Sequence, residues 1–217
     1  MRTKSKLTAA LSGWQAIPRS RKELLESVRL LTTLRAAGWH LGLQDEVRFS
    51  PLAAQPMLTY GAIGFLETYI QADSRVLEFG SGGSTIWLAS RAGQLISIED
   101  NESWSNRIPR LGNVDLRVIP CTGDWYHDGV ESLYSTAAVN DGRFDVIVID
   151  GKARVDCARE ALGLVNPGGL IVLDDLHDTL IEPAISILKS SGLRTFEFWG
   201  LRPGSGEFGG TAIFIND

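Results

Sequence analysis

The stretch "VLEFGSGGSTIWLA", Val76 to Ala89, is the part of this chain from which its fold can be derived. It runs from an apolar segment through a loop that contains three glycines into a pattern typical of a helix. Glycine adopts backbone angles that other residues avoid, and it lets a ligand lie against the main chain. The strand, loop and helix therefore predict a binding loop whose ligand lies at the start of the helix.

The composition is that of an ordinary globular protein. The 217 residues are enough for one α/β domain with an extension, and 44% are hydrophobic and 22% charged. A net charge of −5 gives no overall attraction to nucleic acid or anionic lipid, and no apolar run approaches the roughly 18 residues of a membrane span. Cys121 and Cys157 have neither disulfide density nor zinc-site spacing, which predicts free thiols. We expect a cytoplasmic protein without nucleic-acid or membrane partners.

Two helices are predicted ahead of the glycine loop. A capping-box pattern that begins at Ser20 precedes an apolar helical stripe, which stops near Gly38. Pro56 can begin a second helix, because proline fits the first helical position. We therefore predict an N-terminal helical extension over residues 1–55, which covers an acceptor pocket or forms a homodimer contact, and a main domain over residues 56–217.

The main domain alternates β-rich runs with helix-length segments. The runs "DVIVID" and "GLIVLD" are apolar on both faces, as in central parallel strands that helices cover on each side. The last two runs are separated by "GLRPGSGEFGG", which is too short for a crossover helix and predicts antiparallel pairing. We predict a doubly wound, mostly parallel seven-stranded α/β sheet with an antiparallel last strand. The predicted strands are Arg75–Phe79, Leu95–Glu99, Leu116–Ile119, Phe144–Asp150, Gly169–Asp174, Arg194–Trp199 and Thr211–Ile215.

Acidic residues close most of the predicted parallel strands, at the edge where an open α/β sheet binds its ligand. Any one of them could simply cap the following helix. Their recurrence at strand after strand favours a ligand site instead. The strand-end acids are Glu78, Glu99, Asp150, Asp174 and Asp175.

The spacing of the loop and the second strand-end acid indicates an adenosine ligand. Glu99 stands about twenty residues beyond the glycine loop, where an acid can accept hydrogen bonds from both ribose hydroxyls. Thr85 stands where a dinucleotide loop has its third glycine, and no P-loop lysine follows. An adenosine joined to a group shorter than a pyrophosphate fits these residues best.

These segments together resemble the class I S-adenosylmethionine-dependent methyltransferases, with a Rossmann-like domain. "LEFGSGGS" is similar to their first motif, "SIED" to the acid that ends the second strand, and "CTGDW" to the segment beside the adenine. "FDVIVIDG" and "NPGGLIVLDD" are similar to the fourth and fifth strands. The resemblance covers residues 56–217. It implies a methyltransferase that uses S-adenosyl-L-methionine and methylates a small molecule, at oxygen.

The resemblance also implies a cofactor site. Glu99 holds the ribose, and Asp124 faces the adenine amino group. Trp125 or a neighbouring aromatic residue covers the adenine ring, and Trp104 is an alternative near that end. The residues implied at the methionine end are Glu78, Gly80, Ser81 and Gly82.

Methyl transfer requires alignment of the nucleophile more than acid–base chemistry. Asp150, Asp174 and Asp175 end neighbouring strands and could bind Mg²⁺, similar to the acids of metal-dependent catechol-type O-methyltransferases. A metal there would lower the pKa of a substrate hydroxyl. The alternative is that these acids occupy the strand ends without a metal.

Other charged residues near these acids are candidates for catalysis. With Asp150, the candidates are Lys152, if a desolvated site lowers its pKa, and His177 as a general base. Arg154 could recognise an anionic substrate or pair with Asp156 or Glu160, and this choice stays open. For Arg159 we expect pairing within its own helix.

Two other functions fit parts of the sequence. A catalytically silent binding or interaction module would keep the fold and bind S-adenosylmethionine without turnover. A nicotinamide-dependent oxidoreductase fits Glu99, but the loop lacks the third glycine, and this function explains neither the Asp174–Asp175 pair nor the final hairpin.

Overall fold

The computed structural model describes residues 21–36, 49–50, 54–130 and 132–217. The chain divides into two compact units, Met1–Trp39 and His40–Asp217. The first contains helix α1, Arg21–Ala36, where the apolar stripe predicted it. The capping residue Ser20 lies outside the described residues. The role predicted for residues 1–55, a pocket cover or dimer contact, stays a prediction.

The second unit contains the predicted seven-stranded sheet. Its strand order is β3-β2-β1-β4-β5-β7-β6, and β7 is antiparallel to both of its neighbours. The first five strands pair in parallel, which confirms the doubly wound sheet and its antiparallel ending. The strands are β1 Arg75–Phe79, β2 Gln94–Glu99, β3 Val114–Val118, β4 Phe144–Ile149, β5 Val165–Leu173, β6 Arg194–Arg202 and β7 Ser205–Ile215.

Helices cover both faces of this sheet. The second predicted helix begins at Tyr60 rather than at Pro56, since residues 56–59 are not helical and the backbone N–H of Thr59 donates to Thr211 Oγ1 of β7 at 3.1 Å. No helix among the described residues is long and apolar enough to span a membrane. The helices are α2 Tyr60–Tyr69, α3 Gly83–Ala89, α4 Glu102–Ser105, α5 Arg154–Leu164 and α6 Glu182–Ser190, with a 3₁₀ turn at Thr179–Ile181.

The central strands have hydrophobic side chains on both faces, as their sequences predict. In β4, Val146 and Val148 lie in the cluster that includes α2 and α3 residues, whereas Ile147 and Ile149 lie in the cluster that includes α5 and α6 residues. All four are almost fully buried, and each such side chain stabilises the fold by about 1.5–3 kcal/mol relative to an exposed one. The free cysteines, Cys121 and Cys157, agree with the sequence expectation.

The segment "GLRPGSGEFGG" is mostly strand, not a loop. β6 continues to Arg202 and β7 begins at Ser205, so that only Pro203 and Gly204 form the turn. Gly204 has φ +74°, a conformation that glycine adopts at little cost. The longer hairpin brings Arg202 to the carboxyl end of β5.

The ends of β1 and β4 approach each other at two glycines. Gly80 has φ +89°, and a Cβ added to it would lie 2.5 Å from Gly151 Cα. A Cβ on Gly151 would collide with the Tyr134 hydroxyl and would lie 2.6 Å from the backbone N of Gly80. Only two residues without side chains allow this contact, which fixes the floor of the site described below.

We expect Gly151→Ala to lower the free energy of unfolding by roughly 1–3 kcal/mol, because its methyl group would force two strand ends and Tyr134 apart. Urea unfolding followed by circular dichroism measures this change. The matched control is Gly163→Ala in α5, where a Cβ would meet no atom within 4 Å. That substitution should raise stability by about 0.5–1 kcal/mol through helix propensity. Equal effects of the two substitutions would contradict the backbone contact.

Candidate functional site

A cavity of about 590 Å³ lies at the carboxyl ends of β1, β2, β4 and β5. One part is lined by the glycine loop that follows β1 and by Glu99 to Asn101 after β2. The other part is lined by residues that follow β4 and β5, and by Arg202 at the end of β6. Segments that are far apart in sequence therefore share one cavity, at the edge of the sheet where the strand-end acids predicted it.

Glu99 joins the end of β2 to the glycine loop. Its Oε2 accepts hydrogen bonds from the backbone N–H and the hydroxyl of Ser81, both at 3.0 Å. Its Oε1 accepts from the backbone N–H of Asn101, also at 3.0 Å. A carboxylate can accept about four hydrogen bonds, so this buried but cavity-lining group has capacity for a further donor.

Glu78 lies beneath the glycine loop and is not among the residues that line the cavity. Its Oε2 accepts from Ser97 Oγ and Thr85 Oγ1, both at 2.6 Å, and Thr85 Oγ1 in turn accepts from the N–H of Gly82 at 2.8 Å. Complete burial raises the pKa of Glu78 to about 7. The predicted contact with the methionine end is thus not direct, because Glu78 supports the loop from below while Gly80, Ser81 and Gly82 line the cavity.

Two tryptophans border the cavity. Trp104 donates from Nε1 to the carbonyl oxygen of Ser81 at 2.7 Å, and its ring packs edge-on against Phe49 at a centroid distance of 5.3 Å. Trp125 also lines the cavity, with 56% of its surface exposed. Trp104 and Trp125, the two residues suggested by the sequence near an adenine ring, therefore both line the cavity.

Asp124 is not among the cavity-lining residues, contrary to its predicted place opposite an adenine amino group. The residue is exposed, and its Oδ1 accepts from the backbone N–H groups of Tyr126 and His127 at 2.8 Å each. The N–H groups of His127 and Tyr126 lower the pKa of this carboxyl. The carboxylate closes a local turn, which explains its orientation away from the cavity.

Lys152 lines the cavity, and its ammonium group is paired with a carboxylate. Its Nζ lies 2.9 Å from Asp100 Oδ2, and this hydrogen bond raises the lysine pKa instead of lowering it. Lys152 follows β4 and Asp100 follows β2, so the ion pair bridges the two strands that flank β1. The sequence made Lys152 a candidate base only if a desolvated site lowered its pKa, and this condition is not met, because the carboxylate stabilises the charged ammonium.

His177 does not line the cavity. Its Nδ1 lies 3.9 Å from Asp175 Oδ1, and its Nε2 lies 3.4 Å from an Arg202 nitrogen. The side chain is 40% exposed and is not among the cavity-lining residues. The structure therefore does not support the predicted general-base role.

The three predicted metal ligands do converge. Asp150, Asp174 and Asp175 each offer an oxygen, and these oxygens lie within 4.8 Å of one another. All three residues line the cavity. The structure confirms that these acids meet at one edge of the sheet, as the sequence predicts. Whether they can bind a metal depends on their other partners.

Two buried arginines, which the sequence did not identify as partners of these acids, meet all three carboxylates. Arg154 Nη1 lies 2.7 Å from Asp175 and its Nη2 lies 3.2 Å from Asp150. Arg202 Nη1 lies 2.7 Å from Asp175 and 3.2 Å from Asp174. Arg154 thus pairs with acids at the strand ends, whereas the sequence suggested Asp156 or Glu160 as partners. Arg159 pairs with Asp156 at 2.5 Å as expected.

This arrangement does not fit Mg²⁺. Two guanidinium cations beside the carboxylates would repel a divalent cation, and here Asp175 gives one oxygen to each guanidinium while Asp174 accepts from Arg202 and, at 2.5 Å, from Thr211. Binding the metal would require removal of two arginines that are 7% exposed each. The negative charge that would attract a metal ion is already paired with two guanidinium cations.

The buried Glu78 predicts a pH dependence of stability. Since its pKa in the folded protein, about 7, lies above the usual value of 4.5, its contribution is complete below the unfolded-state pKa and is lost as the pH rises towards 7. Between about pH 5 and pH 8, wild type should lose roughly 1–3 kcal/mol of unfolding free energy relative to Glu78→Gln, which keeps the acceptor oxygen. Urea titrations at both pH values measure this. A difference between wild type and Glu78→Gln that does not change with pH would contradict it.

No protein-family model matches the sequence, and no curated protein sequence matches it. Solved structures do match the fold. An O-methyltransferase from Bacillus cereus, in complex with S-adenosylhomocysteine, aligns with a TM-score of 0.56 and 19% identity over 98% of this chain and 97% of its own. An O-methyltransferase of tomaymycin synthesis from Streptomyces achromogenes, in complex with S-adenosylmethionine, aligns with a TM-score of 0.52 and 19% identity over 70% and 77%.

A third neighbour has a different name. The precorrin-8W decarboxylase of Methanobacterium thermoautotrophicum aligns with a TM-score of 0.55 and 17% identity over 80% of this chain and 97% of its own. At such identities the likeness concerns the fold and leaves the reaction open. The strand order, the antiparallel β7 and these neighbours together show that the chain has the fold of the class I S-adenosylmethionine-dependent methyltransferases.

Proposed function

We propose that this protein transfers the methyl group of S-adenosylmethionine to an oxygen atom of a small-molecule acceptor. The observation that carries the proposal is the shared cavity, in which a glycine loop and a strand-end glutamate face the acids of β4 and β5. The cofactor supplies a methyl group on a sulfonium, which a nucleophile can displace in line. The residues of the chain then have to bind the nucleoside, orient the acceptor and exclude water.

The cofactor half of the cavity supports a nucleoside with an amino-acid tail. Glu99 can accept from a ribose hydroxyl with its remaining capacity. Trp104, held by its hydrogen bond to Ser81, and Trp125 offer flat apolar surfaces for an adenine ring. The main chain at Gly82 leaves room for the tail, since a Cβ added there would meet only the Trp104 ring, at 3.9 Å.

The acceptor half of the cavity is polar, which supports a small polar acceptor. Asp150, Lys152 and Arg202 line it, and an adjoining cavity of about 340 Å³ shares the walls formed by Trp125, Arg154 and Asp175. In the proposed reaction Asp150 accepts a hydrogen bond from the acceptor hydroxyl and takes its proton as the oxygen bonds to the methyl carbon, while the carbon–sulfur bond breaks and S-adenosylhomocysteine leaves. Two of the structural neighbours are O-methyltransferases, which further supports transfer to oxygen. A homodimer and a cytoplasmic location remain predictions.

Calorimetric titration of the purified protein with S-adenosylhomocysteine, NAD and ATP tests the proposal. We expect binding of S-adenosylhomocysteine alone, because the loop lacks both the third glycine of a dinucleotide site and a P-loop lysine. Tight binding of NAD without binding of S-adenosylhomocysteine would replace the proposal by an oxidoreductase. Binding of S-adenosylhomocysteine without transfer from radiolabelled S-adenosylmethionine to any fraction of a metabolite extract would favour a silent binding module.

Glu99→Ala should weaken S-adenosylhomocysteine binding by about 1.5–3 kcal/mol, because a charged hydrogen-bond acceptor for the ribose and the anchor of Ser81 are both lost. Titration calorimetry gives the change in Kd, and circular dichroism verifies the fold. The matched control is Glu102→Ala, which removes an exposed carboxylate three residues further along. Unchanged affinity in Glu99→Ala would show that another residue holds the ribose.

A further inference from the structure

The acid cluster of Asp150, Asp174 and Asp175 places three carboxylates at the cavity wall, with Asp174 buried and the other two partly buried. Three carboxylates within 4.8 Å of one another repel, and burial makes the repulsion stronger than in water. Such a group persists only with a cation among its members.

Arg154 supplies the first cation, and each of its five N–H bonds has an acceptor. Nε donates to the carbonyl oxygen of Gly151 at 2.9 Å. Nη1 donates to the carbonyl oxygen of Asp174 and to the Asp175 carboxylate, and Nη2 to the carbonyl oxygen and the carboxylate of Asp150. This guanidinium therefore ties the end of β4 to the end of β5, and it has no donor left for a ligand.

Arg202 supplies the second cation from the other side of the cluster. Its Nη1 donates to Asp174 Oδ2 at 3.2 Å and to Asp175 Oδ1 at 2.7 Å. The guanidinium lies against Gly209 of β7, where an added Cβ would be 2.6 Å from Nε. The glycine thus provides the space that brings this arginine to the acids.

Asp175 lies between the two guanidinium groups under backbone strain. It has φ +64°, which is uncommon for a residue with a side chain and costs of the order of 1 kcal/mol or more. In this conformation one carboxylate oxygen faces Arg154 and the other faces Arg202. The charge pairing offers a physical reason for the strained backbone.

We propose that Arg154 and Arg202 are the resident cations of this site: they occupy the position that a divalent metal would take, so that methyl transfer proceeds without a metal. Only the statement about methyl transfer rests on the proposed function, and the pairing of the acids with the two arginines does not. Both arginines are positioning residues, which hold Asp150 and Asp175 at the cavity wall. The acceptor hydroxyl then meets Asp150 rather than a metal ion.

The proposal predicts that removal of one guanidinium charge opens the cluster to a metal. Mn²⁺ serves as the probe, because binding reduces the electron paramagnetic resonance signal of the free ion. Wild type should leave that signal unchanged, whereas Arg202→Gln should bind Mn²⁺ with about tenfold or greater gain in affinity, since its three acids lose one of two counter-charges. Arg202→Lys retains the positive charge and should therefore leave the Mn²⁺ signal unchanged, as wild type does. Arg159→Gln, a surface control in α5, should behave as wild type.

Further measurements separate the possible outcomes. Calorimetry with S-adenosylhomocysteine on every variant tests the proposed function independently. A failure to bind this compound would reject the methyltransferase, and the Mn²⁺ measurement would still decide whether the arginines exclude a metal. Binding of Mn²⁺ by wild type that Asp175→Asn abolishes would overturn the inference. So would an absence of Mn²⁺ binding in a folded Arg202→Gln. If that variant does not fold, full methyl transfer by wild type in EDTA supports the inference, and activity that requires added Mg²⁺ overturns it.

Discussion

The contact between the backbones of Gly80 and Gly151 is the constraint on which the site depends. β1 and β4 are parallel neighbours, so their carboxyl ends reach the same edge of the sheet. Two residues without side chains let the chain leave both strands at close range, and the hydroxyl of Tyr134 fills the space that a side chain on Gly151 would need. The floor of the cavity is thus main chain, and the side chains that could act on a ligand stand around it.

Charge pairing explains the walls of the cavity. Carboxylates removed from water are stable only with hydrogen-bond donors or cations, and the chain provides these in three different ways. Glu99 receives N–H and O–H donors of the glycine loop, Asp100 receives the ammonium of Lys152, and the acids after β4 and β5 receive two guanidinium groups. Each pairing gives the carboxylates at one part of the cavity wall donors or counter-charges that the sequence did not identify.

These pairings also bear on the chemistry. A methyl transfer at a sulfonium needs a positioned nucleophile more than a strong base, so a site whose ionisable groups are mostly occupied is compatible with it. Fixed charges at the ends of rigid strands keep their orientation when the acceptor arrives. Arg154 is suited to that task, because its five donors join groups from two adjacent strands and leave it little freedom.

The sequence by itself determined the parallel sheet, its antiparallel ending, the glycine loop and the meeting of the strand-end acids, because these follow from local hydrophobic pattern, turn residues and chain direction. It did not determine the partners of those acids. Arg202 fell in a segment that appeared to be a loop, Lys152 met Asp100 across β1, and Asp124 turned back onto its own backbone. Charged side chains select their partners through distances of a few ångströms between elements remote in sequence, and only the tertiary structure fixes those distances.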